Sequence, residues 1–202
     1  MPLPTTPAVG DPSRRPVVVA LVGNPRAGSR TLAAATTLAA TLTDRLGGTD
    51  PAVVDLATLA PDLHVQPRTA ALDAALATVA GADVLVVATP VYKASFTGLL
   101  KSFLDLYGGD GLDGVAAVPL VVSAAAQHAL VGDTHLRPVL VELGATVPTR
   151  PLSVLDADLA DLGPVVERWW QRAERPLRRA AQAPGAGTSV TDTRDALLEV
   201  AR

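Results

Sequence analysis

The stretch GNPRAGSRT at 23–31 gathers hydrogen-bonding side chains, Asn24, Arg26, Ser29 and Thr31, with Arg30 as a further cation. Hydroxyls and amides donate to phosphate oxygens and a guanidinium supplies charge, so the set suits a terminal phosphate monoester held without a metal. A continuous apolar run, Val17 to Val22, leads into the stretch, and an alanine-rich helical pattern opens near Arg30. Unpaired main-chain N–H groups at a helix start add to such a site, because they point at the ligand and the helix dipole favours negative charge there. The same residues also read as an ordinary strand-to-helix turn, with Ser29 capping the helix and Arg26 solvated.

Two better-known phosphate loops match the stretch poorly. A loop of the form G-x-x-x-x-G-K-[ST] needs a lysine where GNPRAGSR has Ser29. The third apolar run also ends in Thr89 and Pro90, with no aspartate to hold magnesium. A G-x-G-x-x-G fingerprint fails at Pro25, and Asp55, placed where a ribose-binding acid would sit, does not repair it.

The elements that must position these residues alternate between strand and helix patterns. Apolar runs at Val17–Gly23, Pro51–Leu56, Asp83–Thr89, Val115–Ser123 and Ala145–Leu155 predict five strands. Pro119 should make the fourth irregular or delay it to near Leu120, since proline cannot donate to a ladder. Helices are expected over Arg30–Leu46, with Gly47 as a left-handed cap, and over Thr69–Ala80, Ser95–Tyr107 and Ala129–Leu143, the last kinked at Pro138. A fifth helix is expected over Leu159–Ala181, starting more convincingly at Pro164. Runs this apolar, bounded by glycine, are strands buried on both faces of a parallel sheet. The pattern predicts an α/β three-layer sandwich and fits a flavodoxin-like, five-stranded parallel sheet of order 2-1-3-4-5. Ligands in such sheets sit beyond the carboxyl ends of the strands where strand order reverses. Three loops occupy such ends: Asn24–Arg30, Pro90–Ser95 and Ser123–His128.

Composition bounds the rest. A chain of 202 residues with 49% hydrophobic content can bury one full core. A formal net charge of -3, with no long basic block, argues against a nucleic-acid partner. There is no cysteine, so any redox chemistry comes from a cofactor. The expected organisation is a disordered proline-rich arm at 1–15, one domain at 16–181 and a linker-like tail at 182–202, in which Thr191–Ala201 could form a short helix. No apolar stretch is long enough to cross a membrane, and the arm lacks a signal-peptide core, which leads to the expectation of a cytoplasmic protein.

Three stretches carry a family resemblance: GNPRAGSRT at 23–31, ATPVYKASFTGLLKSFLDL at 88–106 and HLRPVLVELGA at 135–145. Over Val17–Trp170 the chain resembles the NAD(P)H-dependent FMN reductases of flavodoxin-like fold, especially those that supply reduced flavin to two-component monooxygenases. The resemblance implies FMN as cofactor, NADPH or NADH as co-substrate, and a flavin-dependent monooxygenase as partner. It implies that Arg26, Ser29 and Thr31 hold the FMN phosphate, with Asn24 and Arg30 as weaker candidates. Pro90, Val91, Tyr92 and Lys93 would line the ring and ribityl chain, and Ser123, Gln127 and His128 would border the ring's other edge. There the family commonly has a glycine-rich turn, whereas this chain reads Ser-Ala-Ala-Ala-Gln, which restricts the backbone.

The chemistry would be hydride transfer from nicotinamide C4 to flavin N5. It needs stacked rings and exclusion of water rather than an acid–base pair. This agrees with a chain whose histidines, His64, His128 and His135, form no evident triad and whose sequence suggests no metal site. Thr134 and His135 stand where alkanesulfonate-type members insert a tyrosine, so exchange of FMN and tight retention both stay open. With retention the acceptor could be a quinone, an azo compound or a metal ion. A flavodoxin-like electron carrier and a metal-free phosphate-binding module are the alternatives. The apolar helix Leu99–Tyr107 predicts a homodimer or homotetramer.

Overall fold

The structure is a computed structural model that describes residues 14–181. Expectations for the outer part of the N-terminal arm and for the tail at 182–202 therefore lie outside the described residues. Five strands, β1 (Val18–Val22), β2 (Ala52–Asp55), β3 (Val84–Pro90), β4 (Ala116–Ser123) and β5 (Leu152–Leu155), form one sheet of order β2-β1-β3-β4-β5. Every pairing is parallel. This is the flavodoxin-like order expected from the sequence.

Helices cover both faces. Alternate residues of β1 face opposite cores: Val19 and Leu21 join one cluster, while Val18, Ala20 and Val22 join the other. Both faces are dry, which is why β1 shows no polar alternation. The first cluster is closed by α3 (Ala70–Ala80), α4 (Gly98–Leu104) and α5 (Arg137–Glu142). The second is closed by α1 (Arg30–Leu46) and α6 (Gly163–Ala181). Local chemistry sets the helix ends. Ser29 caps α1 at its start, and Gly47 ends it at φ 72°. Asp55 caps the short turn α2 (Leu56–Leu59) through the Ala57 amide at 3.1 Å, which gives that carboxylate a structural role.

Three expected boundaries shift, each for a definable reason. Helix α4 begins at Gly98, not Ser95, because Ser95 closes a turn with Tyr92 and Thr97 supplies the cap. The segment before α5 is a single π-helical turn, Gly132–Leu136, closed by the Arg137 amide bonding the Gly132 carbonyl. Pro138 follows within the first residues of α5, where its missing N–H is no loss, and the wider turn before it leaves space for its ring. The last helix starts at Gly163, close to the Pro164 start. Its indole Trp170 lies in the core beneath the guanidinium groups of Arg45 and Arg178, at 5.1 and 5.8 Å.

Pro119 behaves differently from expectation. Strand β4 runs unbroken from Ala116 and pairs with β3 throughout, Pro119 lying opposite Val87. The Ala117 amide donates to the Thr146 carbonyl at 2.7 Å, on the β5 side. Alternate N–H groups point the same way, so the one Pro119 lacks would also face β5. There the ladder has a gap: Thr146 bridges Ala116, and pairing resumes only at Leu120 with Leu152. Between them residues 147–151 leave the sheet. The expected edge strand Ala145–Leu155 is therefore one bridge, an outward bulge and a short β5.

The carbonyls freed in the bulge are taken up by Arg137. Its guanidinium donates to Val147 O at 2.7 Å, to Thr149 O at 2.6 Å and to Asp133 Oδ1 at 3.0 Å. On the other side the Trp169 Nε1–H donates to Arg150 O at 2.8 Å. Replacing Arg137 by Met should remove charge-assisted bonds to two carbonyls and lower unfolding free energy by about 2–4 kcal/mol. Urea denaturation followed by circular dichroism checks this, and an unchanged midpoint would show the bulge to be held by other contacts.

Candidate functional site

Strand order reverses between β1 and β3, since β1 continues to β2 on one side and pairs with β3 on the other. The carboxyl ends of β1, β3 and β4 carry the three loops expected from the sequence, and in open sheets of this kind the crevice for a ligand lies there. In the first, Asn24 is buried. Its Nδ2 donates to Thr31 Oγ1 at 3.1 Å, and its Oδ1 accepts from the Arg26 amide at 3.0 Å. The loop is thus folded back on the start of α1, and Gly28, at φ 63°, makes the turn. Ser29 Oγ accepts from the Leu32 amide at 3.1 Å, which leaves the earlier amides of the first turn without a side-chain cap. Thr31 is buried and orients Asn24, while Arg26 is exposed. Arg30 is drawn off to Asp156 beyond β5 at 2.8 Å.

The β1 and β3 loops are locked together by Thr97 and Thr89, neither of them among the site residues expected from the sequence. The buried Thr97 hydroxyl donates to the Gly23 carbonyl and accepts from the Leu100 amide at 3.2 Å. The Thr97 amide donates to the buried Thr89 hydroxyl at 3.2 Å. Gly23 is needed for close approach: a Cβ there would lie 2.6 Å from Leu100 Cβ. The sequence signal was a threonine directly before a helix, which announces a cap but not its second bond across the sheet.

The second loop leaves β3 at Pro90, and the Val91 amide donates to Val122 O at 3.0 Å. Tyr92 and Ser95 exchange backbone bonds of 2.8 and 3.1 Å around Lys93 and Ala94, both at positive φ. This is the geometry of a type I′ turn, which favours asparagine and glycine. Here it is made by residues that carry a strain of about 1–2 kcal/mol each. Ser95 is tied further by His135, whose Nδ1 lies 2.9 Å from Ser95 Oγ. His135 was noted in the sequence only as a departure from related chains, and spacing does not show that it reaches a residue 40 positions away. The Tyr92 ring is 43% exposed at the crevice border, so it is not a core residue.

In the third loop Ser123 is buried, and its hydroxyl donates to Ala125 O at 3.1 Å. Ala126–His128 form one 3-10 turn, with Gln127 exposed and His128 half-buried. Among the described residues the non-glycine positive-φ positions are Lys93, Ala94 and Asp110, so the alanines at 124–126 adopt ordinary backbone without glycine. A cavity of about 880 Å³ lies beside this loop rather than over it, between β5, the bulge and α6. Ser123 and Ala126 of the third loop are part of its lining.

Sheet order and crevice define the class: a flavodoxin-like α/β protein with its loops gathered at the switch point. Comparison with known proteins makes this specific. Residues 16–159 match the family described as NADPH-dependent FMN reductase. The FMN reductase (NADPH) of Escherichia coli (strain K12) is 31% identical over 185 residues, covering 83% of this chain and 93% of that protein. The NADH-dependent FMN reductase SfnE of Pseudomonas putida is 37% identical over 150 residues, covering 71% of this chain and 79% of that protein. The apo crystal structure of an NADH:FMN oxidoreductase, EMOB, superposes with a TM-score of 0.69 at 31% identity, covering 82% of this chain and 86% of that one. The chain belongs to the NADPH-dependent FMN reductase family and is an NAD(P)H:FMN oxidoreductase.

The junction under the crevice gives a test. Thr97→Val keeps the shape but removes the bond to Gly23 O and the cap on Leu100, which should cost about 2–3 kcal/mol in urea unfolding. Thr97→Ser should recover most of it. A Thr97→Val variant as stable as the parent would show that the bonds of the hydroxyl add nothing to stability. A Thr97→Ser variant as unstable as the Thr97→Val one would show that the methyl group matters as much as the hydroxyl.

Proposed function

We propose that FMN binds over the carboxyl ends of β1, β3 and β4 and that this chain supplies reduced flavin to a separate flavin-dependent monooxygenase. The observation that carries the site is the folded-back β1–α1 loop. Asn24 is fully engaged in shaping it, while Arg26 is exposed and has no carboxylate partner among the described residues. Arg26, the Ser29 hydroxyl and the first amides of α1 would hold the phosphate, with Asn24 and Thr31 as positioning residues. Arg30, held by Asp156, contributes charge from a distance rather than a direct bond.

Pro90, Val91, Tyr92 and Lys93 line one border of the proposed ring site, and Ser123, Gln127 and His128 the other. FMN, when bound, supplies the hydride-accepting chemistry. The task of the chain is to hold the ring flat, to leave one face open for nicotinamide and to keep water away. No side chain at the crevice needs to move a proton for that step. The I′ turn and the His135–Ser95 contact keep Tyr92 at the border before any ligand arrives, so little ordering entropy is lost on binding.

The finer parts of this proposal are action in the cytoplasm, a monooxygenase partner and self-association as a homodimer or homotetramer. The large side chains of α4, Leu100, Phe103 and Leu104, are buried by the chain itself, so α4 does not demand a second copy. Support for association comes instead from Leu130 and Val141, 65% and 56% exposed on neighbouring elements. Light scattering decides it, and a monomer at micromolar concentration would remove this part of the proposal.

Arg26→Ala should weaken FMN binding about 10- to 100-fold, the worth of one charge-assisted bond, while riboflavin binding stays the same because riboflavin lacks the phosphate. Quenching of flavin fluorescence on titration measures both. Equal weakening for the two flavins would place the phosphate elsewhere. Ser29→Ala is a poorer probe, since it also removes the α1 cap at a cost of about 1 kcal/mol.

A further inference from the structure

The crevice leaves the cavity between β5 and α6 unused, and its lining differs from the rest of the surface. Arg150 from the bulge and Arg168 and Arg172 from α6 face one carboxylate, Asp158. The chain as a whole carries a net charge of -3, so this wall reverses the overall sign. None of these arginines has a carboxylate partner among the described residues, whereas Arg30, Arg45, Arg137 and Arg178 each meet one. The wall also contains Thr149, buried with a hydroxyl that has no hydrogen-bond partner, and the Trp169 indole.

This wall is built rather than incidental. The gap opposite Pro119 pushes residues 147–151 out of the sheet. Arg137 holds the bulge from within, and Trp169 holds it from α6 through Arg150 O at 2.8 Å. The backbone of Arg150 is therefore fixed beside the arginines of α6. At about 880 Å³ the cavity has the size of a cofactor site. Its lining includes Ser123 and Ala126 of the third loop, which borders the proposed flavin site.

Resting on the FMN reductase site proposed above, we propose that this cavity takes the adenosine-phosphate arm of the pyridine nucleotide. Its guanidinium groups would engage the 2′-phosphate and favour NADPH over NADH. Guanidinium groups donate bidentately to phosphate, and Trp169 offers an apolar surface to an adenine ring. Nicotinamide in the crevice and phosphates along β5 would thus occupy one continuous path around the β4–α5 loop.

Adenosine 2′,5′-bisphosphate is the probe, titrated calorimetrically into the protein with and without FMN. It should bind in both cases, without displacing FMN, and about tenfold or more weaker to Arg150→Ala/Arg172→Ala. Both side chains are exposed, so the double variant should fold, and Arg168→Ala serves as a second variant. The KM for NADPH should rise in parallel with little change in kcat, in the KM for NADH or in FMN affinity. The proposal is overturned if the bisphosphate does not bind, binds the variants as tightly as the parent, or competes with FMN. Loss of FMN binding and of NAD(P)H oxidation in the parent protein would instead overturn the flavin-site proposal, and the titration without FMN still decides on the cavity.

Discussion

The close contact between Gly23 and Leu100, sealed by the Thr97 hydroxyl on the Gly23 carbonyl, is the constraint on which the rest of the site depends. It brings the end of β1 and the start of α4 to a separation that only a residue without Cβ permits. Because Thr97 also caps α4 and its amide bonds Thr89, one side chain couples a helix start, a strand end and the neighbouring loop. All three groups are buried, so each bond left unmade would carry the desolvation cost of an unsatisfied polar group. The ends of β1 and β3 that carry the first two loops are thereby held together.

A second constraint comes from a bond that cannot form. Pro119 is buried in a central strand and contributes fully to packing, but it offers no N–H towards β5. The edge responds by leaving the sheet, and Arg137 and Trp169 bind the carbonyls that the departure exposes. One missing donor thus shapes the wall of the cationic cavity. The π-helical turn before Pro138 has a similar origin, and it carries His135 towards Ser95. Helix irregularity and loop support are in this way two aspects of one local accommodation.

Hydride transfer between two stacked rings asks little of titratable groups. Burial raises the pKa of the Tyr107 hydroxyl, which donates to Leu76 O at 2.8 Å. Polar side chains at the crevice instead organise backbone: Asn24 and Thr31 shape one loop, Ser123 another. These bonds fix the loop backbones before any ligand arrives, which lowers the ordering cost of binding.

Much of this was legible in the sequence. Apolar runs without alternation implied strands buried on both faces, and their spacing with helices implied sheet order. Ser29 and Gly47 marked the ends of α1 because caps are local chemistry. The three loops were legible because crevice position follows from topology. What the sequence could not show were contacts between residues far apart: the second bond of Thr97, the reach of His135 to Ser95, and the diversion of Arg30 to Asp156. Pro119 was recognised as a disturbance, but its direction depended on which neighbour its missing N–H would have faced. By itself the sequence determined the order of the main strands and helices, the caps of α1 and the family, because these follow from periodicity, local hydrogen bonding and motif spacing. Only the tertiary structure decided which cations have no carboxylate partner among the described residues and where they gather, because pairing is set by distances across the sheet that no local pattern records.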